Sequence, residues 1–244
     1  MPRHGWVVAI EGPSGAGKST LTRVLARSHE WVRLPEAFDR LRPRPALAFN
    51  TPDELLRIEE VLLGEECRRY QDALRKRAQG RTVVTDTGFL GPATYTAGLV
   101  ALGLAPPRVL RTLLSGRGPG SRGSWGALPD LLVYLEVPAP IRRGRAVQDP
   151  RRHPAALIRR HEAVGRVERA FYRDLARGRL STRIRFLGAN QTPHVIADEI
   201  RRLVLTLEPA GPSEKVPTEL VKACILRVAR RQRPRRSTPV SRHR

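Results

Sequence analysis

An apolar strand that breaks into a glycine-rich loop and restarts as a helix constrains this chain more than any other stretch. Val7-Val8-Ala9-Ile10-Glu11 leads into Gly12-Pro13-Ser14-Gly15-Ala16-Gly17-Lys18-Ser19-Thr20 and then into the helical pattern Leu21-Thr22-Arg23-Val24-Leu25-Ala26-Arg27. In the spacing G-x-x-x-x-G-K-S, glycines allow the backbone N–H groups to curl round a polyphosphate. The helix N-terminus adds its dipole, Lys18 reaches the β and γ phosphates, and the Ser19 hydroxyl ligates Mg²⁺. Of the 45 basic residues only Lys18, Lys76, Lys215 and Lys222 are lysines. A compact ammonium at position 18, in a chain that otherwise prefers guanidinium, is what a point-charge phosphate contact requires.

Beyond this segment, short apolar runs alternate with longer helical patterns, as in a parallel sheet covered on both faces. The strand candidates are 6–10, 31–34, 82–85, 131–135 and 184–187, and the helix candidates are 18–28, 52–79, 92–102, 107–114, 154–177 and 193–207. Prolines at or near several helix starts suit the first turn, where a missing N–H costs nothing. The expected fold is α/β: three layers with a five-stranded parallel sheet and helices on both faces. Gly116 to Gly126 reads as a surface connection, because no strand precedes it. One domain is expected over 1–208, followed by a basic, largely disordered tail over 209–244 in which 219–231 could form one short helix.

Ligands of open α/β sheets bind beyond the carboxyl ends of the strands. There the sequence places Glu36 after the second run and Asp86-Thr87-Gly88 after the third. Phosphoryl transfer to a hydroxyl needs one carboxylate near the acceptor oxygen and another for Mg²⁺ or its waters. Glu36 and Asp86 are the candidates, weighed against plain turn-forming or capping roles. Glu136 after the fourth run reads as structural, and His153, His161 and His194 lack metal-ligand spacing. Among Arg142, Arg143, Arg145, Arg151, Arg152, Arg159 and Arg160, Arg145 is the first choice for a lid guanidinium over the phosphates, in a lid spanning about 142–161.

The net charge of +22 raises nucleic acid as a partner. The excess of arginine over lysine points instead to a compositional habit, and residues 209–244 alone carry ten basic residues against two glutamates. A basic surface also steers polyanionic ATP. Nucleic acid therefore stands as the less favoured partner. No apolar run reaches bilayer-spanning length, and the stretch before Glu11 is too short for a secretory leader. Cys67 and Cys224 fit free thiols, so a cytoplasmic location is expected. Oligomeric state is left open, a dimer being one option.

The stretch 10–20, Pro129-Asp130-Leu131 through Pro138 with Arg145 after it, and Phe186-Leu187-Gly188-Ala189-Asn190 through Ile200 resemble the P-loop nucleoside and nucleotide kinases, especially the thymidylate-kinase-like group. The resemblance spans about 5–207 and implies a P-loop NTPase fold with ATP and Mg²⁺ as cofactors. It implies nucleotide binding by Gly12, Pro13, Ser14, Gly15, Ala16, Gly17, Lys18, Ser19 and Thr20, metal binding by Ser19 and Asp86, and catalysis by Lys18, Glu36, Asp86 and Arg145. Thymidylate kinases place Asp-Arg after the third strand and deoxynucleoside kinases Glu-Arg. Here Asp86-Thr87 is more similar to the ribosylnicotinamide-kinase type. The expected activity is transfer of the γ-phosphoryl group of ATP to a small acceptor, a nucleoside or related hydroxyl compound. The alternatives are a nucleoside monophosphate acceptor and a nucleic-acid-associated ATPase or polynucleotide kinase; a regulatory nucleotide switch is a further rival. Thr87 offers no charge for an acceptor phosphate, which tilts the reading toward a neutral hydroxyl unless Arg40, Arg42 or Arg44 supplies that charge.

Overall fold

A computed structural model of the chain describes residues 5–46, 48–115, 128–147, 155–177, 183–208 and 218–231. Five parallel strands, β1 (Val7–Glu11), β2 (Val32–Leu34), β3 (Val83–Asp86), β4 (Leu131–Glu136) and β5 (Ile184–Gly188), form one sheet in the order β2-β3-β1-β4-β5. The phosphate-loop strand is central, with β3 against one edge and β4 against the other. Ile10 lies opposite Asp86 and Leu34 opposite Thr85. The carboxyl ends of β1, β2 and β3 therefore finish nearly flush, and the groups that follow them share one rim.

Side-chain alternation along β4 shows why both faces are covered. Leu131, Val133 and Leu135 point into a core completed by Leu21 and Leu25 of α1 (Lys18–His29) and Ile196 and Ile200 of α8 (Pro193–Leu205). Leu132 and Tyr134 point to the opposite face. There they meet a larger core built from α3 (Pro52–Ala78), α4 (Gly91–Ala101), α5 (Pro107–Ser115), α7 (Ala155–Ala176) and α9 (Thr218–Arg231). Two short helices, α2 (Ala37–Arg40) and α6 (Ala139–Val147), follow β2 and β4. The expected three-layer architecture is thus observed, with α2 and α6 as elements the periodicity did not reveal.

Within the expected tail, the short helix read over 219–231 is present. Residues 218–231 form α9, which packs against α4 and α7 and buries Val221, Cys224, Ile225 and Val228. The physical cause is α4, whose sequence Gly-Pro-Ala-Thr-Tyr-Thr-Ala-Gly-Leu-Val-Ala is buried on nearly every side. A helix apolar all round needs cover all round, and α9 supplies the last side. The rest of 209–244, the whole Gly116–Gly126 connection and 148–154 of the expected lid lie outside the described residues.

Candidate active site

The loop after β1 is built by backbone geometry that side chains rarely permit. Gly12 has φ 139° and Gly15 φ 77°. A Cβ on Gly12 would approach the Leu135 carbonyl oxygen to 2.9 Å, so the loop presses directly on β4. Lys18 opens α1, and its Nζ arches back to donate to the carbonyl oxygens of Gly12 at 2.7 Å and Pro13 at 3.3 Å. The ammonium is thereby held over the concave side of the loop. Arg145, on α6, reaches the same loop: its Nη1 donates to the carbonyl oxygens of Gly15 and Ala16, both at 3.3 Å. Two cations from different elements thus bracket Gly12–Lys18.

Asp86 ends β3 and is buried. Its Oδ2 accepts from Arg33 Nη2 at 3.0 Å, while Arg33 Nε donates to Thr22 Oγ1 at 3.0 Å, tying β2 to both β3 and α1. Asp86 Oδ1 is buried without a hydrogen-bond partner. An orphaned carboxylate oxygen on the rim that carries Ser19 suits a hard cation or one of its waters. Ser19 and Asp86 Oδ1 therefore fit Mg²⁺ as its protein donors. Among the described residues no group of three histidine, cysteine or acidic side chains could hold a metal without the nucleotide.

Glu36 is the N-cap residue of α2, yet its side chain makes no capping hydrogen bond. The backbone carbonyl of Glu36 closes the turn, accepting from Asp39 N–H at 3.0 Å. Glu36 is exposed. Crowding by surrounding protein raises its pKa from the ordinary carboxylate value, with Lys18 acting against the shift and Asp86 reinforcing it. A carboxylate freed from capping, open to solvent and near an ammonium can receive a proton from an acceptor hydroxyl.

Several site residues carried no sequence signal. Arg69, on α3, is wholly buried; it pairs with Glu66 and donates through Nη2 to the carbonyl oxygens of Asp86 at 2.9 Å and Thr87 at 3.4 Å. It holds the β3 exit, where Thr87 takes φ 67°. Glu11 Oε1 accepts from Gly88 N–H at 2.7 Å and from the Tyr172 hydroxyl at 2.6 Å. A Cβ on Gly88 would collide with that carboxylate. Burial raises the Glu11 pKa, against the Tyr172 hydrogen bond and Lys18. Burial also pushes Glu66 up to about 8, with Arg69 opposing. Only the i, i+3 spacing of Glu66 and Arg69 could have suggested their pairing.

The remaining candidates fall elsewhere. Glu136 bonds Arg169 Nε at 2.6 Å and Arg173 Nη2 at 3.1 Å, consistent with its structural reading. Arg143 pairs with Glu162, and Arg142 Nε donates to the Val137 carbonyl oxygen. His161 rests edge-on against Tyr95, His194 is exposed, and His153 lies outside the described residues. Arg40 pairs with Glu65 at 2.8 Å, Arg42 donates to the carbonyl oxygens of Asp39 and Leu41, and Arg44 pairs with Asp39 at 3.1 Å. Arg40, Arg42 and Arg44 thus each have a partner within the protein. No helix among the described residues is long and apolar enough to cross a membrane, and Cys67 and Cys224 form no disulfide.

Comparisons with known proteins agree with this geometry. A family model described as an AAA domain matches residues 7–113, from β1 through most of α5. No curated protein matches the chain. Solved structures do. A deoxyadenosine kinase from M. mycoides with bound dATP superposes with a TM-score of 0.64 at 14% identity, covering 82% of this chain and 100% of that one. The chain shares the fold of that kinase, a five-stranded parallel sheet with helices on both faces. The same enzyme with products dCMP and a flexible dCDP gives a TM-score of 0.63, and with bound dCTP 0.56, each covering 82% of this chain and 99% of the other at 14% identity. Within the P-loop kinase fold, the rim bearing Lys18, Asp86 and Glu36 is the end of the sheet where ligands bind.

Proposed function

We propose that this chain is an ATP- and Mg²⁺-dependent kinase that transfers the γ-phosphoryl group to a hydroxyl of a small acceptor, a nucleoside or related compound. The observation that carries the reading is the uncapped Glu36 carboxylate, presented on the same sheet rim as the Lys18 loop and Asp86. Lys18 and the loop N–H groups of Gly12–Thr20 bind the polyphosphate, and Arg145 offsets charge on the transferring group. Ser19 and Asp86 hold Mg²⁺, which neutralises phosphate charge when bound. Glu36 orients the acceptor hydroxyl and takes its proton. Arg33 orients the Asp86 carboxylate, and Arg69 holds the backbone of the β3 exit. Cys67 and Cys224 are thiols without a disulfide, which suits a reducing compartment, and we assign the protein to the cytoplasm.

The neutral acceptor is preferred over a monophosphate because Arg40, Arg42, Arg44 and Arg69 all have partners within the protein. A dianionic phosphate needs an available guanidinium fork. The test is ADP release from ATP with nucleosides, their monophosphates and small alcohols, in parallel with Lys18→Ala. Turnover with nucleosides that Lys18→Ala abolishes, in a variant that still melts cooperatively, supports the proposal. Normal turnover by folded Lys18→Ala refutes the phosphate-loop assignment. Higher kcat/KM for monophosphates replaces the acceptor.

A further inference from the structure

Glu11 is a buried carboxylate to which phosphoryl transfer gives no direct task. It ends β1, one residue before the phosphate loop, and is 5% exposed. Three donors converge on its side chain. The Gly88 N–H comes from the β3 exit at 2.7 Å and the Tyr172 hydroxyl from α7 at 2.6 Å, and the Gly12 N–H comes from the first residue of the loop.

The backbone that Glu11 meets beyond β3 is strained. Thr87 has φ 67°, a conformation that a β-branched residue keeps only where its surroundings impose it. Here bonds on every side impose it. Thr87 N–H donates to the Ile10 carbonyl oxygen at 3.1 Å, and Arg69 binds the carbonyl oxygens of Asp86 and Thr87. Glu11 takes the next N–H, that of Gly88, and a Cβ on Gly88 would run into Glu11 Oε1. Asp86, with its unpartnered Oδ1, enters this held turn. On its other side Glu11 meets α7, which lies along the phosphate loop with one face. Gly165 and Tyr172 stand two turns apart on that face. A Cβ on Gly165 would lie 3.0 Å from Pro13 Cβ, and Tyr172 reaches Glu11. The Tyr172 ring packs against Phe171 and Tyr134, with centroids 5.0 Å and 5.5 Å away, so its hydroxyl is held in place.

We propose that Glu11, aimed by Tyr172, is a positioning residue that locks the phosphate loop to the β3 exit and so sets where Asp86 stands relative to ATP bound in the loop. A carboxylate suits this task because its two oxygens offer about four lone-pair directions. One side chain can therefore bond an N–H from each segment and still receive the Tyr172 hydroxyl. In a buried setting these bonds are stronger than they would be in water, and each supports the others. Both residues act through backbone rather than on the reactants.

The inference deepens the proposed function and rests on its ATP and Mg²⁺ assignments. The full chain is compared with Tyr172→Phe, which removes one hydroxyl and keeps the ring, and with Glu11→Gln and Glu11→Ala. Calorimetry measures ATP affinity without Mg²⁺ and through a Mg²⁺ titration, and thermal melting follows the fold. In Tyr172→Phe, ATP affinity without Mg²⁺ should match the parent, because Lys18 and the loop glycines are intact. The Mg²⁺ concentration that half-saturates the gain in ATP affinity should rise about tenfold, the lower end of what losing support behind a metal ligand costs. Glu11→Gln, which keeps one acceptor oxygen, should shift it less than Glu11→Ala. Tyr172→Phe decides alone if Glu11→Ala does not fold. In an Asp86→Asn background Tyr172→Phe should add no further shift, as required of a residue that acts through Asp86. A lowered Tm with an unmoved Mg²⁺ titration overturns the inference and leaves Glu11 and Tyr172 as structural residues. An additive shift in the Asp86→Asn background overturns it too, as does an equal loss of ATP affinity with and without Mg²⁺. The expected shifts in a protein that phosphorylates no nucleoside or small alcohol overturn the kinase reading and leave this inference standing.

Discussion

Removing residues 209–244, and α9 with them, should unfold the domain although α9 adds no strand to the sheet. The deleted stretch contains α9, in which Val221 is 0%, Ile225 1% and Val228 4% exposed. Burying each of three such aliphatic side chains contributes roughly 1.5–3 kcal/mol. Their loss therefore approaches the whole stability of a typical domain, about 5–15 kcal/mol. Deletion also strips cover from Thr94 and Ala97 of α4 and from Val167 and Phe171 of α7, which meet Ile225 and Val228. Of those helices, α7 carries Tyr172, so the site loosens along with the core. The assay is urea unfolding and thermal melting of 1–208 beside the full chain, with Ile225→Ala as the graded case, expected to cost about 2–5 kcal/mol. A truncated chain that melts cooperatively within about 3 °C of the full one, where 1 kcal/mol moves Tm by about 2–4 °C in a domain of this size, would refute the packing argument.

Three further outcomes are expected. Glu36→Gln should keep ATP binding and lower the transfer rate by roughly 10²–10⁴, the scale of a lost general base; equal rates would reduce Glu36 to a turn residue. Asp86→Asn should raise the Mg²⁺ concentration needed for half-maximal activity, and an unchanged titration would remove Asp86 from the metal site. Burial holds Glu59 at about 8 when folded against an ordinary 4.5. The folded state thus keeps a proton that the unfolded chain has lost, and stability declines as pH rises from about 4.5 to about 8. Glu59→Gln removes that decline, so its stability advantage should grow across this window to a few kcal/mol. Urea unfolding at pH 5 and pH 8 checks it; a difference between variant and parent that is the same at both pH values would contradict a protonated, buried Glu59.

The alternation of strands and helices, the phosphate loop, and the placing of Glu36 and Asp86 at strand ends are legible in the order of residues. These are local facts: a period of two or 3.6, a glycine where φ must be positive, a charged residue where an apolar run stops. Strand limits came within a residue or two for the same reason, as with 131–135 against Leu131–Glu136. That 218–231 belongs to the core is a tertiary outcome, because its amphipathic pattern is short and gains stability from the apolar faces of α4 and α7 that it covers. Only the fold brought Arg33 to Asp86 across 53 residues and Tyr172 to Glu11 across 161. It also decided that Arg69 is a buried strut while Arg145 reaches the phosphate loop. In a chain where arginine is everywhere, residue type says little. Which guanidinium meets which carboxylate is fixed by strand order and helix packing, and those are properties of the assembled sheet.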